Sequence, residues 1–503
     1  MSSQVLTERP SRLRAPRRPA TLWPAVTLPL SAVVVWAVNS GGDALRWLGL
    51  GGLASAMAIA LFVSLEAGLV AMMLFEPMRG FLRRVQYLFL PYSQTDPIHV
   101  VTPLVTILAF AMLLQRRRLA MFRETPLAGM VSVLAVIYFL QIFNPLQGGL
   151  TVGLSGALFV LVPVVWFYFG QAIQPRFLET VFPLIVALGL ITSLYGIYHL
   201  AYGFPGFEQY WLDHTDNYSS IAVGHVKRAL ATFSSAEEWS RYIEIGAVIA
   251  FGFATSAVGY LRRAGWFLSA AALTAMLLLT GERTAIFGLI LGVMVLLALG
   301  ARTWRGAIVR LAIALAPVLL ISMLAKAPTN DDMLSHGEDD RMGAVLSHTA
   351  RGTLSPVQED SVQERFKNWT HLATEIIPQS PLGLGLGATS LGSIRFDIST
   401  LPPVDSYFIS TVVCCGLPAA LLFMWILGRA TFMSWRSYQR ATRGSTEARV
   451  WQVVAALMPA LMLNSVFGNT FTLYSVAPIG WLLVGWISAQ QSPRVEAREL
   501  IEI

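Results

Sequence analysis

Runs of about 20 apolar residues, the length of helix that crosses ~30 Å of hydrocarbon, recur along the chain and constrain its fold more than any motif does. They lie at 22–39, 97–114, 126–143, 151–170, 178–200, 237–258, 265–281, 284–300, 307–325, 404–428, 451–469 and 474–489. A further run from Trp47 to Met78 is too long for one span and short for two, and it contains Glu66. With 55% hydrophobic residues, 13% charged ones and a mean hydropathy of +0.59, the 503 residues suit one extended helical bundle better than several soluble domains. The expected fold is an all-α polytopic membrane protein of about 12–14 transmembrane helices with a large, partly helical outer loop.

The formal net charge of +7 belongs mostly to loops, because arginine and lysine collect on the cytoplasmic side of membrane proteins, and nucleic acid is not an expected partner. Cys414 and Cys415, the only cysteines, are adjacent within an apolar run, which excludes a disulfide framework and leaves them a packing role. Arg9, Arg12, Arg14, Arg17 and Arg18 precede the first run, and no small-residue cleavage site follows Val35. Residues 1–21 therefore read as a cytoplasmic basic arm ahead of an uncleaved helix.

Arginines near run ends set the orientation. The segments 115–119, 261–265, 301–305 and 429–450 fit the inside, and an inside N-terminus then requires 47–78 to form two short, packed helices. Arg79, Arg83 and Arg84 would face outward, against the charge rule, unless 79–96 is an interfacial helix. The chain divides into a bundle at 22–325, a periplasmic loop at 326–403, further transmembrane helices at 404–489 and a cytoplasmic tail at 490–503. The polar stretches 201–236 and 326–403 fall on the same outer face and are able to meet. The second opens with Asp331, Asp332, Glu338, Asp339 and Asp340 among Gly and Ser, a mobile acidic composition. Phe366, Trp369, Leu372 or Ala373, and Ile376 then recur at helical spacing, which predicts an amphipathic helix over 361–377, ended by Pro378 and Pro381.

Arg283 is the most constrained charge, because only Gly281 and Glu282 separate the apolar runs on either side of it. An arginine at the outward tip of such a hairpin suits a phosphate through its planar fork; a structural pair with Glu282 or an interfacial anchor is the plainer alternative. Arg228, with His225 and Lys227 beside it, precedes a span whose first turns carry Glu237, Glu238 and Arg241. A helix N-terminus with cations around it favours a polyanion. Glu238 acts as a base or merely holds Arg241 one turn away. Asp405 begins a span after Pro402 and Pro403, as a general base or as an N-cap. The PLGLGLG run at 381–387 lacks the strand and the GK[ST] of nucleotide loops and reads as a close backbone approach into the bundle. His371 and His225 have no paired ligand spacing, so no metal and no cofactor is expected.

The order of these motifs carries a resemblance. Arg228 to Glu237 before a span, Gly281 to Ala285 in a hairpin, Glu364 to Trp369 and Pro381 to Gly387 in a large loop, then Asp405 to Tyr407 ahead of Cys415 to Pro418, resemble the O-antigen ligase and O-antigen or exopolysaccharide polymerase superfamily. The resemblance covers roughly Arg228 to Gly428. It implies metal-independent glycan transfer from an undecaprenyl pyrophosphate donor at the outer face of a bacterial inner membrane, with Arg228 and Arg283 at the pyrophosphate. Asp405 or Glu238 would then be the base, and Arg241, Arg365, Trp369, His371, His225 and Tyr407 would contact substrate. Implied partners are the lipid-linked oligosaccharide, a glycan acceptor and membrane lipid, with a flippase and a chain-length regulator beside them. The family's ligases carry His-Asn where this chain has Asp405-Ser406, and Ala419 replaces a glycine, a pattern closer to a polysaccharide polymerase. A ligase and a lipid-linked oligosaccharide flippase are the alternatives. A transferase that uses a polyprenyl monophosphate sugar is disfavoured, because Asp43 stands alone in the first outer loop.

Overall fold

The computed structural model describes residues 44–90, 92, 96–215, 222–223, 226–301, 305–306, 342–343, 345, 349, 360–389, 401–402 and 404–492. The runs 22–39 and 307–325, the basic arm and the acidic segment 331–340 lie outside these residues. The described helices are α1 (Ala44–Val63), α2 (Leu65–Val85), α3 (Ile98–Arg117), α4 (Ala128–Gln141), α5 (Leu150–Val164), α6 (Trp166–Gly170), α7 (Phe177–Tyr202) and α8 (Gly206–Asp213). After a two-residue antiparallel pair, Ala222–Val223 with Val226–Lys227, come α9 (Ala236–Ser256), α10 (Tyr260–Leu278), α11 (Arg283–Leu299) and α12 (Asp360–His371). The last helices are α13 (Tyr407–Cys415), α14 (Leu417–Arg440), α15 (Thr446–Phe467) and α16 (Ala477–Gln490).

Among the described residues six helical stretches are long and apolar enough to cross a membrane: Arg46–Val63, Ile98–Phe122, Leu150–Gly170, Phe177–Tyr202, Leu417–Arg440 and Thr446–Phe467. Two shorter apolar helices, α4 and α11, accompany them. Others expected as spans carry charge: α2 holds Glu76 and Arg79 and α9 holds Arg241 and Glu244 within the helix, while α10 has Arg262 and Arg263 in its first turn, ahead of its apolar run. The protein is an all-α polytopic membrane protein.

The long run at 47–78 does divide. The chain breaks at Ser64, whose hydroxyl caps α2 by accepting from Ala67 N, and Gly68 then packs directly on Leu61. The run at 404–428 divides as well, where one span was expected. Gly416, at φ 84°, separates α13 from α14, a conformation that a residue with a Cβ adopts at a cost. The basic segment 429–450 is largely helix, since α14 continues to Arg440 and α15 begins at Thr446.

The organising element is α9. Ser235 caps it, its hydroxyl accepting from Glu238 N at 3.1 Å, and burial runs through almost every residue from Glu238 to Ala250. It packs against α7, α10, α11 and α15. The amphipathic helix begins at Asp360, passes through a π-helical turn at Leu372–Ile376 and ends after Gln379. Pro378 does not stop it, because proline in the first turn of its last segment removes no hydrogen bond that the helix needs. The glycine run then enters the bundle. Leu384 N and Gly385 N donate to Val413 O and Cys414 O at 2.8 and 3.0 Å, and Gly387 N donates to Gln147 Oε1 at 2.9 Å. A Cβ on Gly383, Gly385 or Gly387 would collide with Cys414, Gln147 or Val152. Cys414 and Cys415 are buried and unbridged, as packing residues should be.

Candidate active site

A short turn after α15, Phe467-Gly468-Asn469, gathers most of the charged residues singled out in the sequence. Phe467 O accepts from Thr284 Oγ1 of α11 at 3.5 Å and from Arg365 Nη1 of α12 at 3.4 Å. Gly468 O accepts from Tyr407 N at 3.0 Å, and Asn469 Nδ2 donates to Val404 O at 2.8 Å. Trp369 stacks on the Phe467 ring with centroids 6.2 Å apart. Helices α11, α12, α13 and α15 thus meet at one backbone turn.

Around the turn, opposite charges are interleaved. Arg228 Nη1 lies 2.5 Å from Glu282 Oε1, and Arg365 Nη2 lies 3.5 Å from Asp405 Oδ2. The second pair is open to solvent, the Asp405 side chain being 59% exposed, whereas the first is largely covered, with Arg228 at 15% and Glu282 at 21%. Glu237 accepts from Asn469 N at 3.1 Å, and its carboxylate is close enough to Glu282 and Asp405 to be repelled by both. Behind this layer, Arg241 is buried on Asn464 Oδ1 at 2.8 Å, with Glu244 Oε2 at 3.7 Å and Glu237 Oε1 at 4.0 Å. Asn464 Nδ2 in turn donates to Glu244. The Gly468 backbone closes over this pair, since a Cβ there would meet the Arg241 guanidinium and the Glu237 carboxylate.

Arg228, Arg241, Arg365, Trp369 and Asp405 therefore converge, and Arg283 follows Glu282 at the start of α11. Three other candidates lie elsewhere. Glu238 is turned about 100° from Glu237 around α9. Its carboxylate accepts from Arg79 Nη2 at 3.3 Å and from the backbone N–H groups of Ser475 and Ser234 at 3.2 Å each. It neither faces Asp405 nor holds Arg241, which Glu237 and Glu244 hold instead. The Tyr407 hydroxyl is buried 3.2 Å from that of Tyr138. His371 pairs with Glu375 of its own helix at 3.2 Å. His225 lies outside the described residues. Asp405 is not an N-cap either, because the Ser406 hydroxyl caps α13 by accepting from Ile409 N, which leaves the aspartate to Arg365.

A second charged region was not foreseen. Arg79, Arg83 and Arg84, expected to face outward or to lie in an interfacial helix, are buried, Arg84 directly against the 231–233 backbone. Arg79 binds Glu76 at 2.9 Å and Glu238, lies against His99, and covers the Tyr474 ring at 4.2 Å. Arg83 pairs with Asp96 at 3.4 Å. Arg84 binds Glu208 at 2.8 Å and donates to Phe233 O and Ala231 O. His199 Nε2 lies 2.7 Å from Glu208 Oε2. Burial alone would raise the Glu208 carboxyl, but His199 and Arg84 outweigh it and hold it below its ordinary value. The Arg84 contacts fix the loop that carries Arg228, including Ala231 at φ 48°, a backbone setting uncommon for a residue with a Cβ.

Residues 267–424 match the family model described as O-Antigen ligase. The matched stretch includes Arg283, α12, the glycine run and Asp405, and it stops short of the turn at 467–469. No curated protein matches the chain. The match covers part of the chain and is to an O-antigen ligase domain, and the helical bundle that contains it is that of a multi-pass membrane protein.

Proposed function

We propose that the chain is a polysaccharide polymerase of the bacterial inner membrane, transferring an undecaprenyl-pyrophosphate-linked glycan onto the next repeat unit at the periplasmic face. The observation that carries this reading is the open charge cage at the 467–469 turn. It combines guanidinium groups suited to a pyrophosphate with one exposed carboxylate, and Arg283, Arg365 and Asp405 fall within the stretch that matches the family.

In this reading the acceptor hydroxyl oxygen attacks the anomeric carbon of the donor glycan. The bond from that carbon to the phosphate oxygen breaks, and undecaprenyl pyrophosphate leaves with the electron pair. Arg228 and Arg283 stabilise the charge that grows on the leaving group, an effect that lowers the barrier only where charge develops in the transition state. Glu282 holds Arg228 until a donor phosphate takes its place. Asp405 accepts the hydroxyl proton, and Arg365 fixes the carboxylate's orientation. Glu238 has no part in this chemistry, since its oxygens already accept from Arg79 and two backbone amides. Helix α12, whose Arg365 and Trp369 reach Phe467, forms a cover that keeps water from the reacting carbon. Arginines carry the leaving-group role that a metal performs in other transferases.

The ligase reading keeps one specific support, the family description itself. The two separate when purified protein is given undecaprenyl pyrophosphate oligosaccharide alone. Lengthened lipid-linked chains are the expected product. Transfer only after a foreign lipid or protein acceptor is added would mean a ligase, and movement of substrate across a vesicle without new bonds would mean a flippase.

A further inference from the structure

Helix α8 has two faces, and the reaction uses neither. On the inner face Glu208, Trp211 and Leu212 are buried. Glu208 is tied to Arg84 and His199, and the Arg83 and Arg84 guanidinium groups lie 5.4 and 5.8 Å from the Trp211 ring. This anchorage makes the helix a rigid shelf. The outer face presents Tyr210, 39% exposed, with the His214 ring 4.2 Å away by centroids. Tyr92 continues the row at 5.6 Å from His214. Along one edge Asp213 accepts from Gln209 at 2.6 Å and from Lys227 at 3.0 Å, both its side chain and that of Lys227 being exposed.

A row of rings bordered by a carboxylate, an amide and an ammonium matches the chemistry of a saccharide. The C–H face of a pyranose is apolar and lies flat on an aromatic ring, while its rim of hydroxyls needs donors and acceptors together. An aromatic belt at a membrane surface is the other use of tyrosine. Tyr198 and Tyr202 of the membrane-spanning α7 suit that use, whereas Tyr210 and His214 are carried by an element that also bears Asp213. The position is informative too. Lys227 on the platform edge is the residue before Arg228, which reaches Glu282 in the charge cage, so the two regions are about one residue spacing, ~3.8 Å, apart along the chain.

We propose that Tyr92, Tyr210 and His214 form a stacking platform for sugar units of the glycan, with Asp213 and Lys227 bonding their hydroxyls. The proposal rests on the glycan-transfer reading and deepens it by naming where the saccharide chain lies while its reducing end is at Arg228. The test uses full-length protein in detergent and, as probe, size-fractionated oligosaccharides released from the source cell's own surface polysaccharide. These probes carry neither lipid nor phosphate. Binding by saturation-transfer NMR should weaken roughly tenfold or more in Tyr210→Ala/His214→Ala, and should persist in Tyr210→Phe and in Arg228→Ala. The single variant His214→Ala, at an exposed site, keeps the test valid if the double variant does not fold. Wild-type protein that fails to bind the probe, or alanine variants that bind within about twofold of it, would overturn the platform. Transfer from the lipid-linked donor is measured in parallel. Transfer with no dependence of binding on the platform defeats the platform alone, whereas platform-dependent binding without transfer defeats the transfer reading alone.

Discussion

Two charged regions flank the first turns of α9, and they differ in what their charges are free to do. On one side Arg79, Arg83 and Arg84 are buried, and acidic partners from α2, α8, α9 and the segment before α3 surround them. On the other, Arg228 and Arg365 each hold one carboxylate, the Arg365 pair open to solvent and the Arg228 pair largely but not fully covered. Adjacent residues, Glu238 and Glu237, point one to each region. The lesson is that ion pairs in one molecule can serve opposite purposes. A buried pair fixes the backbone because neither partner survives desolvation alone, whereas an exposed pair exchanges its partner for a charged ligand at little cost.

Breaking the buried region should have the largest effect. Arg84→Ala leaves Glu208 with His199 but without its guanidinium partner and releases the Ala231 and Phe233 carbonyls, and we expect about 3–5 kcal/mol of destabilisation, seen as loss of folded protein in detergent. In the open region, Arg228→Ala and Arg283→Ala should leave folded yield near wild type and lower the transfer rate about 10²–10³-fold. A rate loss explained by loss of protein would erase the distinction.

The comparison also shows what the sequence makes legible. Arg283 and Asp405 stand out because apolar runs flank them and a charge there has few places to go. The buried arginines were misread because the charge rule speaks of membrane sides, and it has nothing to say about arginines that the fold pairs with Glu76, Glu238, Asp96 and Glu208. Glu237 and Glu238 are indistinguishable by spacing. The Ser235 cap fixes the start of α9, and that decides which of them faces Asp405. The 467–469 turn was missed because it carries no charge: its contribution is a backbone carbonyl, a bare Cα and an amide. Its signal is Asn464, Gly468 and Asn469 interrupting an apolar stretch. The division at Gly416 was equally hidden, since one glycine within 404–428 leaves hydropathy almost unchanged.

Smaller perturbations sharpen the same contrast. Gly468→Val places methyl groups against Arg241 and Glu237, and overpacking of this kind costs about 1–3 kcal/mol. It should depress transfer more than it depresses the unfolding temperature, because the disturbed groups border the cage. The smallest expected effect is in pH. The Glu208 carboxyl is held below its ordinary 4.5, so its pairing stabilises the fold above that value, and the contribution is lost as pH falls from about 4.5 through the lowered folded value. Glu208→Gln should flatten that part of an acid-unfolding curve, whereas Glu282→Gln in the open region should alter donor affinity and leave the curve in place.

The central claim is that the open cage performs the transfer, with Asp405 taking the proton. It is tested most directly by Asp405→Asn in purified protein supplied with undecaprenyl pyrophosphate oligosaccharide, with donor binding and chain extension measured on the same preparation. The account predicts donor binding close to wild type and extension slowed about 10²–10⁴-fold. Extension at the wild-type rate by a folded, donor-binding Asp405→Asn protein would contradict it.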